Sequence, residues 1–412
     1  MHSEADSSNR KTAYLSILLL GIVSLMGDVV YEGSRGIVPS YLKFLCASAV
    51  IMSLVGGLGD FLGYALRLVS GFLADTTRAY WLFIFLGYGL IVSIPFLGLS
   101  LGFEMAVILI LLERLGKAFR SPARDTVLSF ISKNLGAGKT FGLHELLDQI
   151  GAIGGPLLVT VLMFYSNDNY RYTFSFLFLP FLALLAVLVY TYKRIGARAI
   201  VFKKQNVEGK REKLTKPFYT YAFAVLLNSA GLMTYTLILY KASTILQPTE
   251  QWIVPLIYLL IQGVDAPTAL LAGYAYDKFG IEILLVPFLL SAFPPLLIMF
   301  NAQLSTLIAA TIVFGLVLGM QESIYRAAVS ELTPVSSRGT AYGIFNTAYG
   351  VGFLISGAVY GLLMELRTPF IVAIFYVLIT QITATASLLG TRSKLKRHKW
   401  RLNVDKSSIV AA

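Results

Sequence analysis

The sequence predicts an all-α membrane protein of twelve transmembrane helices, set as two pseudo-symmetric groups of six, and three observations carry that expectation. The first is composition. Of 412 residues 56% are hydrophobic and 14% charged, whereas about a quarter of a soluble domain is charged. Apolar stretches of spanning length recur along the chain without strict period-2 alternation, which selects helices over barrel strands. The second is where the charge falls. Spans drawn at 13–38, 45–73, 80–101, 103–132, 140–165, 171–193, 217–240, 251–276, 281–300, 303–332, 338–364 and 368–390 leave 23 basic residues on one side, against Lys43, Arg171, Lys241 and Arg367 on the other. Positive loops stay in the cytoplasm, so both termini are expected there and the chain in the cell membrane. The third is a repeat. Residues 71-GFLAD-75 return as 273-GYAYD-277 and Arg124 as Arg326, both at an offset of 202, while Phe141, Gly142 and Gly151 return as Tyr342, Gly343 and Gly352 at 201. Parallel repeats of six helices are a plan for alternating access around a site between the halves.

The expected order is a cytoplasmic tail (1–12), a first six-helix domain (13–193), a basic linker (194–216), a second six-helix domain (217–390) and a basic tail (391–412). The tail before span one reads as retained, because the apolar run behind it exceeds a signal-peptide core. A net charge of +12 could suggest nucleic acid. The basic residues outside the spans follow topology instead, concentrating in the linker and the C-terminal tail, so anionic lipid is the expected partner and nucleic acid is not. The single cysteine, Cys46, excludes an intrachain disulfide and any cysteine-based metal cluster. No metal, no cofactor and a monomer are expected.

Span one carries Asp28, Glu32 and Arg35 at helical offsets of four and three, so they share a face, and Pro39 is expected to help end the helix. Burial and a neighbouring cation push a carboxylate's ionisation in opposite senses, so such a group can respond to a proton. Span two holds Asp60, expected near the wet outer end, and Arg67, expected to fasten this span to span four or eleven. Asp75 and Arg78 follow at the turn, where an aspartate can accept from the N-terminus of a neighbouring helix.

Span four holds the densest charge, 111-LLERLGKAFRSPARD-125. Each charge at mid-bilayer costs about 2.5–3.5 kcal/mol on insertion scales, so these side chains are expected to face protein or a wet cavity. Glu113, Lys117, Arg120 and Arg124 fall within an arc of about 60° on a helix, with Arg114 and Asp125 a quarter turn away. Span five sets His144, Asp148, Gly151 and Gly155 along one face beside Glu145, followed by Pro156. Glycines four apart let helices approach closely, here expected at the interface between the domains. Away from the span ends, the second half holds Asp265, Glu322 and Arg326 as its ionisable groups, which suggests that the first half handles charge and the second offers a softer surface.

These residues also carry a resemblance. The repeat, Gly71 to Asp75 between spans two and three, Arg114 in span four, and Gly151, Gly155 and Pro156 in span five look like the motifs of the major facilitator superfamily. Asp28 with Glu32, the run Gly116 to Asp125 and 141-FGLHELLDQIGAIGGP-156 resemble a prokaryotic branch of drug and solute efflux permeases. One departure is Arg78, where the first-loop motif usually has glycine, with Ala79 and Tyr80 in place of its basic pair. The resemblance implies that Asp75 latches against span eleven near Arg338, that an acid of span one takes up a coupling proton, and that Arg114 is its partner.

Proton-coupled export of a small organic solute is therefore the expected activity, with transport and not catalysis as the class. Proton coupling is expected of Asp28, Glu32, Glu113, Arg114, His144 and Asp148. Arg35, Lys117, Asn228, Tyr235, Gln262, Asp265, Gln321 and Asn346 are expected at the solute. Asp75, Arg78, Arg120, Arg124, Asp125, Gly151, Gly155, Pro156, Asp277, Glu322 and Arg326 are expected to gate. The rivals are uptake of an anionic metabolite held by Arg35, Lys117 and Arg120, then transition-metal export, then a sensor or enzyme. The last pair lacks a phosphate loop, nucleophile elbow or metal-ligand motif in the sequence.

Overall fold

A computed structural model describes residues 2–132, 137–196, 213–301, 303–334 and 337–410. Most of the 194–216 linker and the side chains of both tails lie outside the described residues, as does Lys133. Every regular element among the described residues is helical. We label them α1 (His2–Phe44), α2 (Ala49–Thr77), α3 (Tyr80–Leu99), α4 (Phe103–Ser132), α5 (Ala137–Tyr165), α6 (Tyr170–Ile195), α7 (Lys216–Ile245), α8 (Ile253–Phe279), α9 (280–300), α10 (Leu304–Leu332), α11 (Arg338–Glu365) and α12 (Phe370–Val410). Ten stretches are long and apolar enough to cross a membrane. One of them, Pro248–Phe300, contains both α8 and α9, and α4 is too charged to be among them, so the architecture is consistent with twelve crossings. Buried apolar side chains form two clusters, one drawn from residues 13–195 and one from residues 218–388.

The sequence repeat is a repeat of contacts. A Cβ on Gly151 of α5 would lie 2.6 Å from the Leu25 carbonyl of α1, and one on Gly352 of α11 would lie 2.6 Å from the Leu226 carbonyl of α7. Both pairs keep the 201-residue offset. This close approach lies within each half, so Gly151 and Gly155 dock α5 on α1 and do not form the expected interface between domains. The halves meet where α5 packs against α8 and where α2 lies along α11, with Gly57 against the Phe353 carbonyl and Gly357 against that of Ser53.

Three helices depart from the simple spans. Pro39 does not end α1, which runs on to Phe44. The α7 helix breaks after Gly231 and resumes at Tyr235. Carbonyls freed at a break must find donors in a membrane, and side chains supply them. Tyr376 donates to the Ala230 carbonyl at 2.8 Å, Tyr360 to that of Gly231 at 2.6 Å and Ser356 to that of Leu232 at 2.5 Å. In α10 one π-helical turn, Gln321–Tyr325, interrupts the helix and changes the register between Glu322 and Arg326.

The halves are clasped at the end of the bundle away from the termini. The Phe164 and Trp252 rings stand edge to face at 5.2 Å. The Lys43 ammonium donates to the Ser243 carbonyl, and the Ala49 amide to Glu365 Oε2 at 3.1 Å. Asp168, in the loop between α5 and α6, accepts from the amides of Gln251 and Trp252 ahead of α8. Burial raises its pKa above the ordinary carboxylate value, and these two hydrogen bonds only partly oppose the shift.

Candidate functional site: a charged cavity between the halves

On the terminal side of this clasp lies a cavity of about 390 Å³, walled by both halves. Its lining runs from Thr234, Tyr235 and Tyr258 beneath the clasp to Asp125, Glu145 and Arg326 nearer the termini, where the Asp125 side chain is half exposed. The α7 break matters here, because it turns Thr234 and Tyr235 onto the wall. Unwound backbone is tolerated at membrane depth only where protein or a cavity surrounds it.

The first-half wall is a network of opposite charges. Glu32 accepts from Arg35 at 2.7 Å, lies 3.8 Å from the Lys117 ammonium and accepts from the Tyr258 hydroxyl of α8 at 2.5 Å. One carboxylate thus joins two first-half cations to a second-half helix. Lys117 also donates to Tyr31 at 3.0 Å, and the guanidinium of Arg120 lies over the Tyr31 ring at 4.9 Å. Arg124 reaches Ser24 at 2.6 Å, Asp125 at 3.0 Å and Asp148 at 3.4 Å, and Asp148 lies 3.7 Å from His144 Nε2. Asp28 lines the cavity near the carboxylates of Asp148 and Glu32. Buried charges survive in protein when paired and hydrogen-bonded, and α1, α4 and α5 supply both signs at helical spacing.

Several expected partners differ. Arg114 meets Asp60 of α2 at 3.7 Å, its neighbour Glu113 at 3.7 Å and the Tyr235 hydroxyl at 2.9 Å, so its acid comes from span two and not span one. Asp60 lines the cavity instead of sitting wet at an outer end. Arg67, expected as a fastener, also lines it, with its guanidinium over the Tyr64 ring at 5.1 Å. Glu113 shares the arc of Lys117, Arg120 and Arg124 yet leaves the wall, turning to Arg120 at 3.5 Å.

Among the expected second-half residues, Tyr235, Gln262, Asp265, Glu322 and Arg326 reach the cavity, whereas Asn228, Gln321 and Asn346 do not. Asn228 is fully buried, accepting from Tyr325 at 2.7 Å and Gln321 at 3.3 Å and donating to Gln381 at 2.8 Å, while Tyr349 donates to Gln321 at 2.8 Å. Those amides face one another because the other half of their knot, Gln381, is 153 residues away in sequence, which no local pattern reveals. Asp75 accepts from Tyr80 of its own half at 3.1 Å, and Arg338 donates to the Ser330 carbonyl at 3.1 Å. Among the described residues Asp75 makes no hydrogen bond or ion pair with the start of span eleven. Arg78, its neighbour, takes a left-handed conformation that closes α2, and Gly151, Gly155, Pro156 and Asp277 also lie off the wall. Sequence reasoning missed Tyr31 and Tyr258. The spacing of Tyr31 beside Glu32 was visible, but the pairing of Tyr258 with Glu32 spans 226 positions.

Comparison with known proteins adds the following. A family model described as Major Facilitator Superfamily matches residues 221–403. An uncharacterised protein of Mycobacterium tuberculosis is 33% identical over 371 residues, covering 88% of this chain and 90% of its own. An uncharacterised MFS-type transporter of Methanocaldococcus jannaschii is 26% identical over 374 residues, covering 88% and 92%. Among solved structures, a POT family transporter in complex with a thioalcohol-conjugated peptide superposes with a TM-score of 0.71 at 14% identity, covering 92% of this chain and 96% of that one.

Proposed function

The chain belongs to the major facilitator superfamily, and from that premise we propose that this secondary transporter couples protons to export of a small organic solute. The observation that carries the reading is Glu32, which holds Arg35 and Lys117 in one half and the Tyr258 hydroxyl in the other. Hydrogen bonds to an ionised group are roughly twice as strong as neutral ones. Protonating Glu32 therefore weakens a contact between the halves and frees two cations in the same event. Asp28, close to Glu32 and Asp148, provides a neighbouring carboxylate through which the proton can pass. With the termini cytoplasmic, the cavity lies on the inner side of the closed clasp and receives solute from the cell. Protonation from outside then follows when the halves rock the other way.

Direct capture of an anion by Arg35, Lys117 and Arg120 fits less well, because Glu32 and Glu113 already sit within ion-pair distance of all three. The test uses proteoliposomes loaded with a pH-sensitive dye and an imposed pH gradient, challenged with 2-phenylethylamine, putrescine and choline, and separately with phenylacetate and succinate. Solute-dependent proton movement supports the reading, and its loss in Glu32→Gln assigns the coupling. Solute flux that ignores the gradient rejects it.

A further inference from the structure

Asp265, on α8, stands apart from every other acid on the cavity wall. It is 3% exposed, it lines the cavity, and its Oδ1 has no hydrogen-bond partner among the described residues. The charged groups that bear on it are Glu322, Glu32 and Glu145, all carboxylates. Glu32 is already neutralised by Arg35 and Lys117. The other two add negative potential at the same spot, and the nearest second-half cation on the wall, Arg326, bears on Glu322 and not on Asp265. A carboxylate out of water without a counter-charge is among the most expensive arrangements a protein can hold. Its position on a cavity wall offers a remedy that a packed core would not, namely a cationic group brought by the occupant.

We propose that Asp265 is the seat of a protonated amine on the transported solute, with Glu322 and Glu145 adding to the negative field around it. This deepens the transport reading above and rests on it. The chemical class follows from the acceptor: an ammonium supplies up to three N–H donors where Asp265 Oδ1 has none among the described residues, and the aromatic rings of Tyr258 and Phe314 on the same wall suit an organic body attached to it. Four of the first-half cations on the wall, Arg35, Lys117, Arg114 and Arg124, need no anion from the solute because Glu32, Asp60 and Asp148 answer them, whereas Arg67 lies over the Tyr64 ring. The solute is therefore an amine of net positive charge in preference to a dicarboxylate or phosphate.

The experiment is binding to the purified full-length protein in detergent, read by thermal stabilisation and by titration with no pH gradient present, so that failure of proton coupling cannot mimic failure of this site. The probes are the protonated amines 2-phenylethylamine and putrescine, with choline as a cation that has no N–H donor and phenylacetate and phenylethanol as compounds lacking the cation. The amines are expected to stabilise the wild type while phenylacetate and phenylethanol do not. Asp265→Asn should weaken amine binding at least tenfold, and Asp265→Glu should recover part of it. Melting of each variant without ligand separates lost binding from lost folding. If Asn substitution damages the fold, Glu322→Gln serves as the second variant, with a smaller loss expected. Amine binding undiminished in both variants overturns the proposal, as does stabilisation by phenylacetate alone or by none of the amines. Amine binding that depends on Asp265 without proton movement in proteoliposomes would retain this site and reject the coupling.

Discussion

In the first half of the bundle four of the six cavity acids sit beside a base: Glu32 beside Arg35 and Lys117, Asp60 beside Arg114, Asp125 and Asp148 beside Arg124. In the second half amides and phenols do the joining. Asn228, Gln321, Tyr325, Tyr349 and Gln381 form one buried knot, and three hydroxyls hold the carbonyls at the α7 break. The halves share a helical plan down to the Gly151 and Gly352 contacts, so the difference lies in what their side chains do. Ion networks change state when a proton arrives. Neutral networks do not, and they hold a broken helix in one shape. The comparison teaches that one repeat can carry the responsive chemistry while its twin supplies a fixed wall against which it moves.

The hardest blow to this contrast would come through Glu32. Glu32→Gln should cut proton-driven flux about 5- to 150-fold, the range of ordinary coupling energies, while amine binding without a gradient survives. Equal flux in the variant and the wild type would place coupling elsewhere. On the other side, Asn228→Ala removes the centre of the neutral knot and leaves Tyr325, Gln321 and Gln381 short of partners. Each unsatisfied buried group costs about 1–3 kcal/mol. The denaturation midpoint should fall clearly with little change in amine affinity, and the reverse pattern would return Asn228 to the solute.

A smaller effect concerns the clasp. Trp252→Ala deletes the ring pair with Phe164, worth about 1 kcal/mol, and should raise the population open at that end about fivefold. In a Cys46→Ser background, Thr234→Cys placed beneath the clasp reports this through its labelling rate by a membrane-impermeant thiol reagent from the outer side. The smallest effect is one of pH. Burial raises the Asp168 pKa in the clasped form. The clasp is therefore strongest with Asp168 protonated and weakens as pH rises through that raised value, the opposite of a salt-bridged aspartate. Labelling at Thr234→Cys should increase with pH across the carboxylate range, and Asp168→Asn should flatten the profile while leaving the clasp closed.

Much of the architecture was legible in the chain. The charge run of α4 had to face inward because lipid would not accept it, and Lys117, Arg120 and Arg124 do so. Glu113 shares their arc and still turns away, toward Arg120 at 3.5 Å and Arg114 at 3.7 Å on its own helix. Arg114 found Asp60, an acid on a helix that spacing alone could not bring to it. Asn228 and Gln321 looked like solute contacts for the same reason that they are structural: a polar group at membrane depth needs partners, and sequence cannot say whether a ligand or another side chain provides them.

Composition, loop charge and repeat offset by themselves determined that this chain is a helical membrane protein built twice over, because burial in lipid and the repetition of short motifs leave direct marks along a sequence. Only the tertiary structure decided which acid answers which base, that the α7 helix breaks at the wall, and that Asp265 Oδ1 has no partner among the described residues. Those outcomes depend on distances between helices tens to hundreds of residues apart, and helical periodicity fixes only the face on which a side chain begins.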